Sequence, residues 1–242
     1  MNILALDFET TGLDPEYDKI IEVGAIVYNT QHKHIIHTFS DLVVVDKELP
    51  DVVALKTNIN TYVLMMHGVP LKESLTKLKK LIDTYKIEYF MGHNGRSFDS
   101  KFLEKACLEH DIYGLNLPWI DTRFDIEYPD AIETRRLDYL AAEHGFINPF
   151  PHRALFDCMT MIKILERYDF VEVLDNSKIK DVVVEAVVSF ANKDQAKEAK
   201  YMWQNCGDKV FPKKWVKQIK ANRLGHERSK RKFEVNVVWE ES

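Results

Sequence analysis

At 242 residues, 45% of them hydrophobic and 29% charged, the chain has ordinary globular composition and room for one full α/β domain plus a small appendage. No stretch reaches the run of about 18 uncharged apolar residues that a membrane helix needs, and the N-terminal MNILALDFE lacks the basic stretch and apolar core of a signal peptide. The net charge of −5 is unevenly spread: residues 1–176 carry 18 Lys and Arg against 29 Asp and Glu, and residues 177–242 carry 15 against 9.

Taken in chain order, Asn2–Asp7 is a nearly continuous apolar run, as in a strand buried on both faces. Turn chemistry follows from Thr10 to Pro15. Ile20–Tyr28 is rich in β-branched residues and predicts a second strand, and Ile35–Val45 a third. Three strands without an intervening helix imply antiparallel neighbours. Leu71, Leu75, Leu78, Leu81 and Ile82 then share one helical face. Tyr89–Gly92 predicts a short strand, Phe98–His110 a helix, Trp119–Asp121 a strand, and Leu137–His144 and Leu155–Tyr168 two more helices. Strands followed by strand–helix alternation favour one mixed sheet flanked by helices. Near residue 176 the pattern turns irregular and the charge changes sign, which sets a boundary between domains 1–176 and 177–242. In the second part Val182–Phe190 predicts a strand, Lys193–Trp203 a helix and Phe233–Trp239 a closing strand, a small α+β domain.

Cys107, Cys158 and Cys206 are odd in number, far apart, and form neither a disulfide framework nor a zinc pattern, as suits a reducing, cytoplasmic compartment. The carboxylates are more informative. Asp7 and Glu9 stand two apart at the end of a buried strand, so both project from one face. Like charges held that close resist ionising unless a cation lies between them. Asp157 sits in a helix (LFDCMTMI) that is apolar on nearly every side, where an unpaired charge would cost several kcal/mol. It needs a cation or a proton, with Lys163 and Arg153 as alternative partners. Asp99 follows Phe98 at a predicted helix start, where a carboxylate is also ordinary.

The segments DFETTG (Asp7–Gly12), HNGRSFD (His93–Asp99) and HRALFD (His152–Asp157) occur in this order. They resemble the three exonuclease motifs of the DnaQ-like family, DEDDh subgroup, over about residues 1–170. The resemblance implies an RNase H-like mixed sheet with helices on both sides, and a metal-dependent 3′→5′ exonuclease. It implies that Asp7, Glu9, Asp99 and Asp157 hold two Mg²⁺ or Mn²⁺ ions and that His152 is the general base. Asp7 would bridge the ions, Glu9 and Asp157 would serve the one that activates water, and Asp99 the other. Hard cations of this kind prefer carboxylate oxygens to imidazole or thiolate. Thr10, Thr11, Gly12, Leu13, Asn94 and Phe98 would line the path of the terminal nucleotide, Leu13 as a wedge and Phe98 for stacking, although each also suits a turn or core role. His93, the rival base by composition, falls in the substrate-contacting second motif.

The expected substrate is a single-stranded DNA 3′ end, in proofreading, repair or recycling, with a DNA polymerase or replisome as candidate partner. An RNA-trimming ribonuclease or oligoribonuclease is the alternative within the same chemistry, and a non-cutting replisome accessory the alternative of another class. In the basic tail, Trp203, Phe211 and Trp215 interleave with Lys200, Lys209, Lys213, Lys214 and Lys217, which makes it a candidate for nucleic-acid binding. For the two tryptophans the favoured alternative is a place in the small domain's core, and the lysines could bind nucleic acid either way.

Overall fold

A computed structural model describes residues 1–205 and 213–240. Cys206, Lys209 and Phe211 lie outside the described residues. The chain divides into two compact units, Met1–Val173 and Leu174–Ser242.

The first unit is built on a five-stranded mixed sheet of order β3-β2-β1-β4-β5. β1 (Asn2–Thr10), β2 (Ile20–Asn29) and β3 (His34–Leu42) form the antiparallel part. β4 (Tyr89–Gly92) and β5 (Trp119–Asp121) extend it with parallel pairing. This is the mixed, RNase H-like sheet that the strand pattern and the motif resemblance imply. β1 and β2 are central and nearly continuously apolar, and Ile3, Leu4, Leu6, Val23, Ala25 and Ile26 are fully buried. Helices cover the sheet: α1 (Asp51–Thr57), α2 (Thr61–His67), α3 (Leu71–Tyr85), α4 (Asp99–His110), α5 (Leu137–Glu143) and α6 (Ala154–Leu165). Leu75, Leu78 and Ile82 of α3 and Phe102, Leu103 and Ala106 of α4 enter one core cluster with Leu4, Leu6 and Phe8. α7 (Phe170–Ser177) carries the chain across the division between the units.

Four helices lie where the sequence pattern shows none, one of them Leu224–Lys230 in the second unit. α1 and α2 have seven residues each, too short for a 3.6-residue period to stand out. The signal of α2 lies in its cap, where Asn60 Oδ1 accepts the Val63 N–H at 2.9 Å, whereas α1 follows Pro50 with no side-chain cap. α7 occupies the stretch that reads as irregular.

The second unit is a four-stranded antiparallel sheet of order β7-β8-β6-β9, with β6 (Asp181–Val187), β7 (Met202–Asn205), β8 (Lys213–Lys220) and β9 (Glu234–Glu240). α8 (Lys193–Glu198) and α9 (Leu224–Lys230) accompany it. The helix expected over Lys193–Trp203 ends early. Lys200 takes a left-handed φ of 63°, the Tyr201 N–H bonds the Ala196 carbonyl at 2.9 Å, and the Lys200 N–H bonds that of Lys197 at 2.8 Å. That is a Schellman stop, sealed by Ala196 and Tyr201 in the same apolar cluster. Trp203 consequently belongs to β7. β6 ends at Val187, and a short 3₁₀ turn follows at Phe190–Asn192, where the sequence suggests continued strand. Among the described residues, no helix is long and apolar enough to cross a membrane.

One position decides how α6 meets the sheet. Gly24 of β2 pairs with Asp7 of β1, and a Cβ built on Gly24 would lie 2.3 Å from the Ala154 carbonyl carbon and the Leu155 nitrogen. Only a bare Cα admits the first turn of α6 there, and the Cys158 thiol donates to the Gly24 carbonyl one turn later. Gly24→Ala is therefore expected to lower stability by about 2–3 kcal/mol through overpacking, read from chemical denaturation. An unchanged midpoint would show that α6 can retreat without cost.

Candidate active site

The carboxyl groups assemble at the ends of β1, α4 and α6. Asp7 and Glu9 lie two apart on β1, opposite Gly24 and Glu22 of β2, and share the face covered by α6. Asp99, in the first turn of α4, accepts the Phe8 N–H through Oδ1 at 3.0 Å. β1 has by then outrun β4, whose pairing stops at Ala5–Met91, so the carboxylate takes over a backbone donor that the sheet no longer serves. Asp157, in the first turn of α6, accepts from Asn148 Nδ2 at 2.6 Å. Glu9, Asp99 and Asp157 are all buried.

Among the described residues, one group of three offers ligand atoms within 4.8 Å of one another: Glu9, His152 and Asp157. Asp7 and Asp99 stand outside that tight set yet act on it electrostatically. Burial first, then Asp99, Asp157 and Glu9 in turn, raise the Asp7 carboxyl well above its usual range. Burial and then Asp157 push Glu9 to about 8. Burial pushes Asp99 to about 8 against the pull of the Phe8 N–H, and Asp157 to about 7 against that of Asn148. Four acids that resist ionisation together, all with oxygen donors, fit hard divalent cations.

The alternative partners of Asp157 are engaged elsewhere. Arg153 holds Glu22 with a fork of Nη2 at 2.8 Å and Nε at 3.1 Å, and the Ala154 N–H adds a third bond to the same carboxylate. Lys163 lies over the Phe146 ring at 4.4 Å. Glu22 is only 1% exposed and faces Glu9 across the sheet; paired with Arg153, its charge still adds to the forces that raise Asp7, Glu9 and Asp157.

His152 is half-buried in a left-handed backbone conformation, φ 61°. Burial, followed by the charge of Lys56, lowers its pKa and favours the neutral ring. His93 sits apart from this chemistry. Its Nε2–H donates to the Arg135 carbonyl at 2.7 Å, its Nδ1 lies 2.9 Å from Thr122 Oγ1, and burial pushes its pKa down to about 4.

Of the nucleotide-path residues, Leu13 is 83% exposed, an apolar side chain with no place in the core. Gly12 presses on Asp18, whose carboxylate would lie 2.3 Å from an added Cβ. Thr10 and Thr11 spend their hydroxyls on the loop itself, on the Gly12 carbonyl at 2.5 Å and Asp18 Oδ1 at 3.0 Å. Asn94 is left-handed at φ 68°, with its N–H on Asp121 Oδ1 at 2.9 Å. Phe98 is partly buried, with its ring 4.9 Å from that of Phe102 and packed on the core.

Sequence reasoning overlooked several contributors. Asn148 offers only an Asn-Pro turn signal. Glu22 is a lone acid in a β-branched strand, which by itself calls for a buried partner. Lys56 ends an unpredicted helix. Asp121 and Asp125 brace the second motif, Asp125 through a fork to Arg96 at 2.6 and 3.0 Å.

A five-stranded mixed sheet of this order, flanked by helices, is an RNase H-like fold. The exonuclease family model matches residues 4–165, and the chain belongs to that family. It is 26% identical over 162 residues to a DNA polymerase III PolC-type of Ureaplasma parvum, covering 66% of this chain and 11% of that protein. It is 30% identical over 163 residues to a 3′-5′ exonuclease DinG of Staphylococcus aureus, covering 66% and 17%. The chain thus spans under a fifth of the length of either relative. The nuclease domain of 3′hExo, a DEDDh family member bound to rAMP, shares the fold with a TM-score of 0.57 at 23% identity, covering 69% of this chain and 90% of that one. An E. coli ExoI–ssDNA complex does so with a TM-score of 0.63 at 16% identity, covering 81% and 50%. DEDDh exonucleases depend on divalent metal.

The raised carboxyl pKa values fix the sign of a pH effect. Folding favours the protonated form, so ionising these groups opposes the folded state increasingly from about pH 4, their unfolded value, to about pH 8. In EDTA the melting temperature is expected to fall by about 5 °C or more between roughly pH 5 and 8.5. Mg²⁺ should raise it more at the higher pH. A metal-free melting temperature that rises over this range, with no Mg²⁺ response, would contradict the assignment.

Proposed function

We propose that the chain removes nucleoside monophosphates from DNA 3′ ends, with Asp7, Glu9, Asp99 and Asp157 holding two Mg²⁺ or Mn²⁺ ions and His152 acting as general base. The observation that carries this reading is the convergence of four carboxyl groups, three of them buried and pushed to pKa values of about 7–8, beside a half-buried histidine. When bound, the ions supply an activated water, neutralised phosphate oxygens and a stabilised leaving 3′-oxygen.

The chain's own residues do the rest. His152 accepts the proton of the attacking water, and its lowered pKa keeps the ring neutral and receptive near pH 7. A ring nitrogen lies within 4.8 Å of Glu9 and Asp157, beside the site where the water would be held. Asn148 Nδ2 donates to Asp157 Oδ1, and the His152 backbone N–H also serves this carboxylate, which holds it in place. Leu13 meets the terminal base as a wedge, and Gly12 allows backbone to approach it. Thr10 and Thr11 shape that loop, and Asn94 and Phe98 are further residues that would line the nucleotide path.

DNA is favoured because the sequence relatives are named as a DNA polymerase and as a 3′-5′ exonuclease, which also makes a polymerase or replisome the candidate partner. A fold neighbour described as recognising a histone mRNA stem-loop keeps RNA as an arm of the test. The chain should release mononucleotides from 5′-labelled single-stranded DNA in Mg²⁺ or Mn²⁺ and not in EDTA. Asp7→Ala should abolish the reaction, and His152→Ala should slow it by about 10²–10⁴-fold. Faster hydrolysis of RNA would move the substrate to the ribonuclease alternative. Binding without any metal-dependent release would leave a non-cutting accessory.

A further inference from the structure

The second unit carries a feature that hydrolysis at the carboxylate cluster does not use. Its residues Leu174–Ser242 hold 15 Lys and Arg against 10 Asp and Glu, a net +5, while residues 1–173 carry 18 against 28. β7 is an edge strand of the sheet, and all four of its residues are exposed. In the ladder Trp203 pairs with Trp215 and Asn205 with Lys213, so these four side chains share one face.

The two indoles have different duties. Trp215 packs against the cluster of Val184, Ala186 and Tyr201, which accounts for its burial. Trp203 does not enter that cluster and stays 53% exposed, its ring 5.4 Å from that of Trp215 and tilted by 51°. One ring is anchored and the other is presented. Lys213 is exposed on the same face, and Lys200 is exposed three residues before Trp203, at the left-handed stop of α8. A rigidly backed indole flanked by ammonium groups matches a base stacked on an aromatic face with its phosphates beside cations.

We propose that Trp203, backed by Trp215 and flanked by Asn205 and Lys213, is a stacking platform for single-stranded DNA. The choice of ligand rests on the exonuclease reading, and charge complementarity supports it: the basic unit offers a polyanion what the acidic body does not.

Binding of labelled oligothymidylate to the full chain is measured in EDTA, where no turnover occurs. Trp203→Leu, which keeps apolar bulk without a π face, should weaken Kd by about tenfold, and Trp203→Phe by less than about threefold. Lys213→Ala should lower the salt dependence of binding by about one phosphate contact. Adding the oligonucleotide to the unaltered chain should quench tryptophan fluorescence, with less quenching in Trp203→Phe. Equal affinity in Trp203→Leu, equal losses for Leu and Phe, or absence of quenching overturns the platform, as does an equal Trp203→Leu loss on blunt duplex DNA. Hydrolysis of a small thymidine 5′-phosphate ester in Mn²⁺ by the unaltered chain reads the carboxylate site alone, so failure there falls on the exonuclease reading and not on the platform.

Discussion

Four carboxyl groups that repel one another are held at the end of a buried strand, and most of the first unit's local architecture serves to keep them there. Nothing in hydrophobic packing favours that arrangement. Burial raises the cost of each charge and proximity raises it further. The opposing forces are specific and local. Gly24 lets α6 close on the sheet opposite Asp7, the Arg153–Glu22 fork fixes the start of that helix, Asn148 holds Asp157, and the Phe8 amide holds Asp99. A divalent cation would resolve the remaining conflict by turning mutual repulsion into shared coordination.

This tension also explains which parts of the molecule were legible from sequence. The central strands and long helices announce themselves by composition and period, because burial on both faces or on one stripe leaves a strong pattern. Asp157 stood out because an acid in an all-apolar helix has no inexpensive explanation, and the structure takes away its alternative partners, Arg153 and Lys163. Asn148 and Lys56 left almost no trace, since a turn asparagine and a surface lysine look the same wherever they occur. α1 and α2 were too short to show a period. In the tail, Trp203 read as helical until the Schellman stop at Lys200 and pairing with Trp215 decided otherwise, a case of tertiary structure overriding local propensity.

The second motif has its own support. Asp121 receives the backbone N–H groups of Asn94 and Arg123, and Asp125 receives that of Asp121 together with the Arg96 guanidinium. This buried network holds Asn94 in its left-handed conformation, and His152 adopts the same unusual conformation in the third motif. Two non-glycine residues at positive φ in the motif loops are the kind of backbone strain that functional sites retain. The basic unit adds a separate surface on the same chain, with its own core and an indole presented to solvent.

The central claim is that the carboxylate cluster is a cation site, and direct titration of Mn²⁺ into the metal-free chain near pH 7.5, followed by calorimetry or by the free-ion electron paramagnetic resonance signal, tests it without any substrate. Two bound ions per chain, reduced by Asp7→Asn and by Asp157→Asn, are the expected result. No saturable binding, or binding indifferent to both substitutions, would contradict it.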